Sequence, residues 1–89
     1  MKILAVCGMG FGSSMVLRMT IESVLKEMGI KANVTTADVG TAKTEKADLI
    51  VTSAEFANLL KSKDTPIVTI KNYVDKNEMK AKLSVVLNH

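Results

Sequence analysis

The sequence is poor in cysteine, aromatic residues and proline. It has one Cys, two Phe, one Tyr, one Pro and no Trp among 89 residues. A single cysteine cannot form an intrachain disulfide, which excludes a disulfide-stapled secreted scaffold and fits a reducing compartment. The scarcity of aromatic residues predicts an aliphatic core in which methionine fills the gaps, and we expect Met15, Met19 and Met28 to do so.

Long apolar runs and blocks of like charge are also missing. No stretch approaches the roughly 20 apolar residues of a membrane helix, and the run after Lys2 stops at Gly8, too early for a signal peptide. The net charge of +3 comes from lysines spread along the chain, so we do not expect nucleic-acid binding. With one cysteine and one histidine we expect neither a metal nor a cofactor. We therefore expect a cytoplasmic protein.

The hydrophobic pattern predicts a single α/β domain over residues 1–89. We predict strands at residues 2–6, 31–37, 47–52 and 67–70, helices at 14–28 and about 54–61, a last helix capped by Asp75, and loops at 7–14 and 38–41. Strands that alternate with helices indicate an open, four-stranded parallel sheet with helices on both faces. We expect the strand order 2-1-3-4, in a Rossmann-like or phosphatase-I-like arrangement.

The apolar positions at helical spacing predict which helix faces are buried. In the first helix they are Leu17, Ile21, Val24, Leu25 and Met28, and in the last helix Met79, Leu83, Val86 and Leu87. Gly29 is a typical C-terminal stop for the first of these helices.

The most informative segment is residues 7–14, Cys-Gly-Met-Gly-Phe-Gly-Ser-Ser, which directly follows the first predicted strand. We predict that Ser13 or Ser14 caps the helix that follows. A thiol at a helix N-terminus is favoured as thiolate by the helix dipole and by free backbone N–H groups. The same N–H groups, with the two serine hydroxyls, would bind a phosphoryl group. The predicted chemistry is attack of the Cys7 sulfur on phosphorus, giving a phosphocysteine.

Other interpretations of this segment remain open. A lone cysteine after a strand is most often a small buried hydrophobe, although three glycines and two serines beside it favour a functional loop. Cys7 could also serve an anion-binding or redox-sensing regulatory module. A degenerate phosphatase is disfavoured, because low-molecular-weight tyrosine phosphatases need an arginine where this chain has Ser13. A nucleotide P-loop is excluded by the lack of lysine in the segment.

The pattern Cys7-Gly8-x-Gly10-x-Gly12-Ser13-Ser14 resembles the IIB components of the bacterial phosphotransferase sugar-uptake system. The nearest match is the ascorbate-type branch of the lactose/cellobiose-like group. The resemblance implies a phosphotransferase in which Cys7 takes a phosphoryl group from a phosphohistidine of the IIA partner. Cys7 would then pass it to a carbohydrate held by the membrane partner IIC, which would place the protein at the membrane periphery. The sequence does not name the carbohydrate, because IIC binds it.

The resemblance also implies a phosphate-binding loop around Cys7. Its residues would be Gly8, Met9, Gly10, Phe11, Gly12, Ser13 and Ser14. Met9 and Phe11 depart from the polar residues of related loops. They would either contact partner proteins or fold back onto the first helix.

Several other polar residues follow the predicted strands, and parallel strands place such residues along one edge of the sheet. They are Asp38, Thr41, Thr52, Ser53 and residues 71–73. We expect them to gather near Cys7, with Asp38 and Thr41 as solvated turn residues, Thr52 and Ser53 as caps of the next helix, and Tyr73 in ordinary packing. We expect Arg18 on a solvated helix face and no role for His89.

Overall fold

The computed structural model describes residues 1–6, 10–60 and 65–87, and for residues 10–14 the backbone alone. Strands and helices alternate along the described chain. The strands are Lys2–Val6 (β1), Asn33–Ala37 (β2), Leu49–Thr52 (β3) and Ile67–Thr69 (β4). The helices are Gly10–Met28 (α1), Val39–Thr44 (α2), Ala54–Leu60 (α3) and Lys76–Leu87 (α4).

The strands form one parallel sheet in the order β2-β1-β3-β4. Strand β1 pairs with β2 from Lys2↔Asn33 to Val6↔Ala37, and with β3 from Ile3↔Leu49 to Ala5↔Val51. The predicted α/β class and the predicted strand order 2-1-3-4 are therefore confirmed.

Each face of the sheet has its own apolar core, because successive side chains of a strand point to opposite faces. On one face Ile3 and Ala5 pack with buried side chains of α1 and α4, among them Leu17 and Met79. On the other face Leu4 and Val6 pack with Ala42 of α2 and Leu60 of α3. The prediction of helices on both faces is confirmed. Across the described residues, no helix combines the length and the apolar character that crossing a membrane requires.

Helix α1 begins earlier than the sequence predicts. It starts at Gly10, so residues 10–14 belong to the helix and not to a loop, and the prediction that Ser13 or Ser14 is its N-cap is wrong. Glycines count against a helix interior, but the buried face of α1 stabilises the helix through packing, which outweighs local propensity. Residues 7–9 of the predicted loop lie outside the described residues.

The predicted loop at residues 38–41 is mostly helical. Asp38 is the N-cap of α2, a helix of 6 residues, and its carboxylate accepts a hydrogen bond from the Thr41 N–H at 2.7 Å. The helix is too short for an apolar periodicity to show in the sequence, and Gly40 disfavours a helix prediction at this position. The other elements lie where the sequence predicts them, with strand ends shifted inward by one or two residues.

The predicted helix faces are largely confirmed. Leu17, Ile21, Val24 and Leu25 are buried in α1, as are Met79 and Leu83 in α4. Val86 is 39% exposed, so its assignment to the buried face is wrong.

The methionines of α1 differ from one another. Met28 packs at the margin of the core, as expected of a gap-filling residue. Met15 and Met19 are 60% and 62% exposed, so the prediction that they fill gaps in the core is wrong. Their side chains lie on the solvent side of the helix because Leu17, Ile21 and Val24 occupy the side that faces the sheet.

Gly29 ends α1 in a left-handed conformation, with φ at +73°. The Ile30 N–H donates to the Leu25 carbonyl and the Gly29 N–H to the Lys26 carbonyl. These two bonds form a Schellman motif, which turns the chain toward β2. The prediction of a stop at Gly29 is confirmed.

We expect Gly29→Ala to lower the free energy of unfolding by about 1–2 kcal/mol, because a Cβ disfavours the left-handed region. Urea denaturation at constant pH measures the change. Gly40→Ala is the matched control, since Gly40 is helical and an added Cβ would meet only the Asp38 Oδ1 at 3.7 Å. The control should be neutral or stabilising, and equal losses in both variants would contradict the role assigned to φ.

Candidate functional site

The strand order places a topological switch point in the sheet, with its carboxyl edge at the ends of β1 and β3. From β1 the chain crosses to β2 on one side, and from β3 it crosses to β4 on the other. Open α/β sheets bind ligands at such a switch point, just beyond the carboxyl ends of the two strands. In this protein the switch point lies between Val6, the last residue of β1, and Thr52, the last residue of β3.

Cys7 follows Val6 directly in the sequence and thus continues the chain from this switch point. The residues Cys7, Gly8 and Met9 lie outside the described residues. The chain is described again from Gly10, where α1 begins. The first four N–H groups of an α-helix have no partner within the helix. The backbone N–H groups of the first turn, from Gly10, therefore lack partners within the helix, and such groups favour anions.

Thr52 connects three strand ends at the switch point. Its hydroxyl donates a hydrogen bond to the Val6 carbonyl at 2.8 Å, and its own carbonyl accepts one from the Ile70 N–H at 2.9 Å. The Thr52 side chain is completely buried. The Thr52 hydroxyl thus bonds to β1 and not to the N-terminus of α3, and the prediction of a capping role for Thr52 is wrong. Ser53 lies before α3 and its carbonyl accepts from the Ala57 N–H, as an N-cap residue does.

Asp38 orders the neighbouring part of the edge, after β2. Its bond from the Thr41 N–H lowers the pKa of the Asp38 carboxyl below its ordinary value. The side chain therefore carries a negative charge at neutral pH, beside the N-terminus of α2, where the helix dipole favours an anion. Asp38 and Thr41 are both exposed, as predicted for solvated residues, but they belong to a helix cap and not to an ordinary turn.

Glu78 orders the connection between β4 and α4. Its carboxylate accepts hydrogen bonds from the Lys71 N–H at 3.0 Å and the Asn72 N–H at 3.1 Å. These bonds, first that from Lys71, lower the pKa of the Glu78 carboxyl, and the nearby Lys82 ammonium acts in the same direction. Lys82 also donates to the Thr69 carbonyl at the end of β4. The two side chains together fix the chain where it leaves the sheet.

Sequence reasoning missed Glu78 and Lys82. A signal was present, because Asp75 and Glu78 have the spacing of a capping box. Asp75 does cap α4, accepting from the Glu78 N–H at 3.1 Å, as predicted. The Glu78 side chain, however, reaches back beyond the cap to Lys71 and Asn72, and no local sequence rule gives that contact.

The structure agrees with the predictions for Tyr73 and Arg18. Tyr73 is half-buried and packs against the core on the α1 and α4 face. Arg18 forms an ion pair with Glu22 at 3.3 Å, and both side chains are about half exposed, as expected for a solvated helix face. His89 lies outside the described residues.

The chain is similar to proteins of the bacterial phosphotransferase system. The family described as "PTS system, Lactose/Cellobiose specific IIB subunit" matches residues 2–85. A relative from Mycoplasma pneumoniae, "Ascorbate-specific PTS system EIIB component", is 38% identical over 93 residues, which cover 98% of this chain and 95% of the relative. A relative of the same name from Shigella sonnei is 34% identical, over 97% of this chain and 88% of that protein.

A solved structure shares the fold. The lactose-specific IIB component domain from Streptococcus pneumoniae aligns with a TM-score of 0.59, over 99% of this chain and 95% of that one. The two sequences are only 20% identical, so this likeness supports the architecture alone.

We expect Glu78→Gln to destabilise the protein at about pH 7 and to have a smaller effect at about pH 3. The Glu78 pKa is lower in the folded protein, so its carboxylate stabilises the fold above its unfolded pKa of about 4.3. That contribution is lost as the pH falls through the lower, folded value. Urea denaturation of both proteins at the two pH values measures the difference.

Glu55→Gln is the matched control for this experiment, because it removes the same charge from the first turn of α3. Within residues 1–6, 10–60 and 65–87, Glu55 makes no hydrogen bond to a strand connection. An equal pH dependence in the two variants would mean that the Lys71 and Asn72 contacts of Glu78 do not stabilise the fold.

Proposed function

The chain belongs to the lactose/cellobiose-specific IIB family of the phosphotransferase system, and we propose that Cys7 is its phosphoryl carrier. The observation that carries the proposal is the position of Cys7 in the chain. It follows the strand that ends at the switch point and precedes α1 by three residues. A nucleophile placed there has free helical N–H groups close by in the sequence.

The proposed reaction has two steps. In the first, the Cys7 thiolate attacks the phosphorus of a phosphohistidine on the IIA partner, so that an S–P bond forms and the P–N bond breaks. In the second, a hydroxyl of the transported compound attacks the same phosphorus. The S–P bond breaks, the hydroxyl proton is released, and the thiolate is regenerated. Each step transfers one phosphoryl group and needs no redox partner or metal.

The proposed phosphate cradle is formed by the residues that follow Cys7 in the sequence. It consists of the backbone N–H groups of Gly8, Met9, Gly10, Phe11, Gly12 and Ser13 and the hydroxyls of Ser13 and Ser14, because the Ser14 N–H already lies inside the helical hydrogen bonding. The early start of α1 supports part of this set, because the residues from Gly10 form the first turn of a helix. Negative charge is stabilised there by the unpaired N–H groups and the helix dipole.

We propose L-ascorbate as the transported compound. The support is the sequence likeness to relatives named as ascorbate-specific, at 33–38% identity over nearly the whole chain. The protein would work in the cytoplasm as a single domain over residues 1–89, in turn with IIA and with the membrane component IIC.

An exposed apolar surface on α1 suits this alternation between partners. Met15, Val16 and Met19 lie on the first turns of the helix after the proposed cradle, and they are 60%, 38% and 62% exposed. Protein interfaces are enriched in methionine, whose flexible side chain adapts to different surfaces. The surface therefore fits a carrier that docks with IIA and IIC by the same face.

We expect the wild-type protein to gain the mass of one phosphoryl group after incubation with a phosphohistidine donor cascade, and Cys7→Ser to gain none. Intact mass spectrometry makes the comparison. The reason is that Cys7 is the only thiol of the chain and a serine hydroxyl is far less nucleophilic at neutral pH. Matching circular dichroism spectra would show that the variant is folded.

Three outcomes would contradict the carrier role. Phosphorylation of Cys7→Ser at the wild-type rate would place the acceptor elsewhere. A wild type that takes no phosphoryl group but forms mixed disulfides readily would favour the redox-sensing alternative. Turnover of an aryl phosphate without any partner would favour a phosphatase.

We expect an ascorbate-type IIA to phosphorylate the protein faster than a lactose-type IIA under identical conditions. The reason is that the chain shares more residues with the ascorbate-specific relatives than with the lactose-specific structure, 38% against 20%. Initial rates of mass gain with each purified donor measure the preference. A second test uses IIC in vesicles and compares the rate of ascorbate phosphorylation with the rate of lactose phosphorylation. A preference for the lactose-type donor and for lactose in these two tests would refute the ascorbate assignment.

A further inference from the structure

Thr52 has a buried hydroxyl whose hydrogen bond joins two distant parts of the chain. The other buried polar residue of the described chain, Thr20, bonds to the Val16 carbonyl within its own helix. The Thr52 hydroxyl instead donates to Val6, 46 residues earlier in the sequence. A buried hydroxyl is costly unless it is paired, so this bond is a specific feature of the strand end.

The bond lies one step beyond the last paired residues of β1 and β3. The register of these strands ends at Ala5↔Val51, so Val6 and Thr52 are the next residues of the two strands. On its other side Thr52 bonds to Ile70 through its own carbonyl. Thr52, at the end of β3, is therefore bonded to β1 through its side chain and to the end of β4 through its backbone. The side-chain bond adds one contact to the backbone hydrogen bonds between the strands.

The Val6 carbonyl belongs to the peptide group that joins Val6 to Cys7. Peptide groups are planar, so a hydrogen bond that fixes the carbonyl oxygen restricts rotation of the whole group. The Thr52 bond therefore constrains the orientation of the last peptide carbonyl of β1. A valine of nearly the same shape would fill the space but would leave the Val6 carbonyl without this donor.

We propose that Thr52 is a positioning residue for Cys7 and that it acts through the Val6 peptide group. The proposal rests on the proposed function of Cys7. Its consequence is that the thiol keeps its place relative to the N-terminus of α1, where a thiolate is stabilised. Removal of the Thr52 hydroxyl should therefore weaken the thiolate as well as slow phosphoryl transfer.

The test compares Thr52→Val, which lacks the hydroxyl, with Thr52→Ser, which retains it. The readout is the pH dependence of Cys7 alkylation by iodoacetamide, followed by intact mass. We expect Thr52→Val to raise the apparent pKa of the thiol and lower the alkylation rate at about pH 7 by about threefold to tenfold. Thr52→Ser should keep the wild-type profile. Asp38, Lys71, Glu78 and Lys82, the described charged groups of this edge, are the same in every variant.

Val68→Ala is the control for a loss of stability alone. Val68 is buried in β4, and its truncation removes core packing while the Thr52 hydroxyl stays in place. The control should lower the unfolding midpoint and leave the alkylation profile unchanged. Thr52→Ala provides a second hydroxyl-free variant if Thr52→Val does not fold. A wild-type profile in the folded hydroxyl-free variant, or the same shift in Val68→Ala, would overturn the proposal.

Phosphoryl uptake from the IIA donor is the second readout, and we expect it to fall in Thr52→Val and to be retained in Thr52→Ser. The alkylation experiment needs no phosphoryl donor, so it tests the role of Thr52 independently of the carrier role of Cys7. Absence of uptake in the wild type would overturn the carrier role of Cys7. An unchanged alkylation profile together with normal wild-type uptake would overturn the role of Thr52 alone.

Discussion

Strand β1 is paired on both sides and buried on both faces, and the rest of the structure depends on that burial. Ile3, Leu4, Ala5 and Val6 are all fully buried. Buried backbone groups need hydrogen-bond partners, which β2 and β3 supply on the two sides. Because the neighbouring strands are parallel, each connection must cross the sheet, and the crossing helices cover both faces.

This arrangement explains why polar side chains bond to backbone groups at the strand ends, as Asp48 does to the Lys2 N–H and Thr52 to the Val6 carbonyl. Along the strands, backbone groups bond to each other, but at the strand ends some of them need other partners. Thr52 supplies a donor to the Val6 carbonyl, Asp38 an acceptor for the Thr41 N–H, and Glu78 an acceptor for two N–H groups after β4. Side chains that hydrogen-bond to neighbouring backbone groups therefore fix the edge that carries the proposed site.

The solved structure of a lactose-specific IIB domain shows how much sequence change this fold tolerates. A lactose-specific IIB domain has the same architecture at 20% identity, because aliphatic side chains of suitable size can replace one another on a buried sheet. The ascorbate-specific relatives share more of the chain. Substrate and partner choice are properties of surfaces and loops on the shared sheet and not of the sheet itself.

The sequence by itself determined the elements with strong periodicity, the strand order and the family. Runs such as Ile3 to Val6 and the spacing of Leu17, Ile21 and Val24 predict burial through local pattern alone, and the segment from Cys7 to Ser14 carried the resemblance. Only the tertiary structure decided where α1 begins, that Asp38 caps a helix, and that Met15 and Met19 are exposed. Only the tertiary structure also showed the hydrogen bonds between Thr52 and Val6 and between Glu78 and Lys71. The reason is that these features depend on how the folded chain packs, across 46 residues for Thr52 and Val6 and across a turn of 7 residues for Glu78 and Lys71, which local propensity and spacing do not contain.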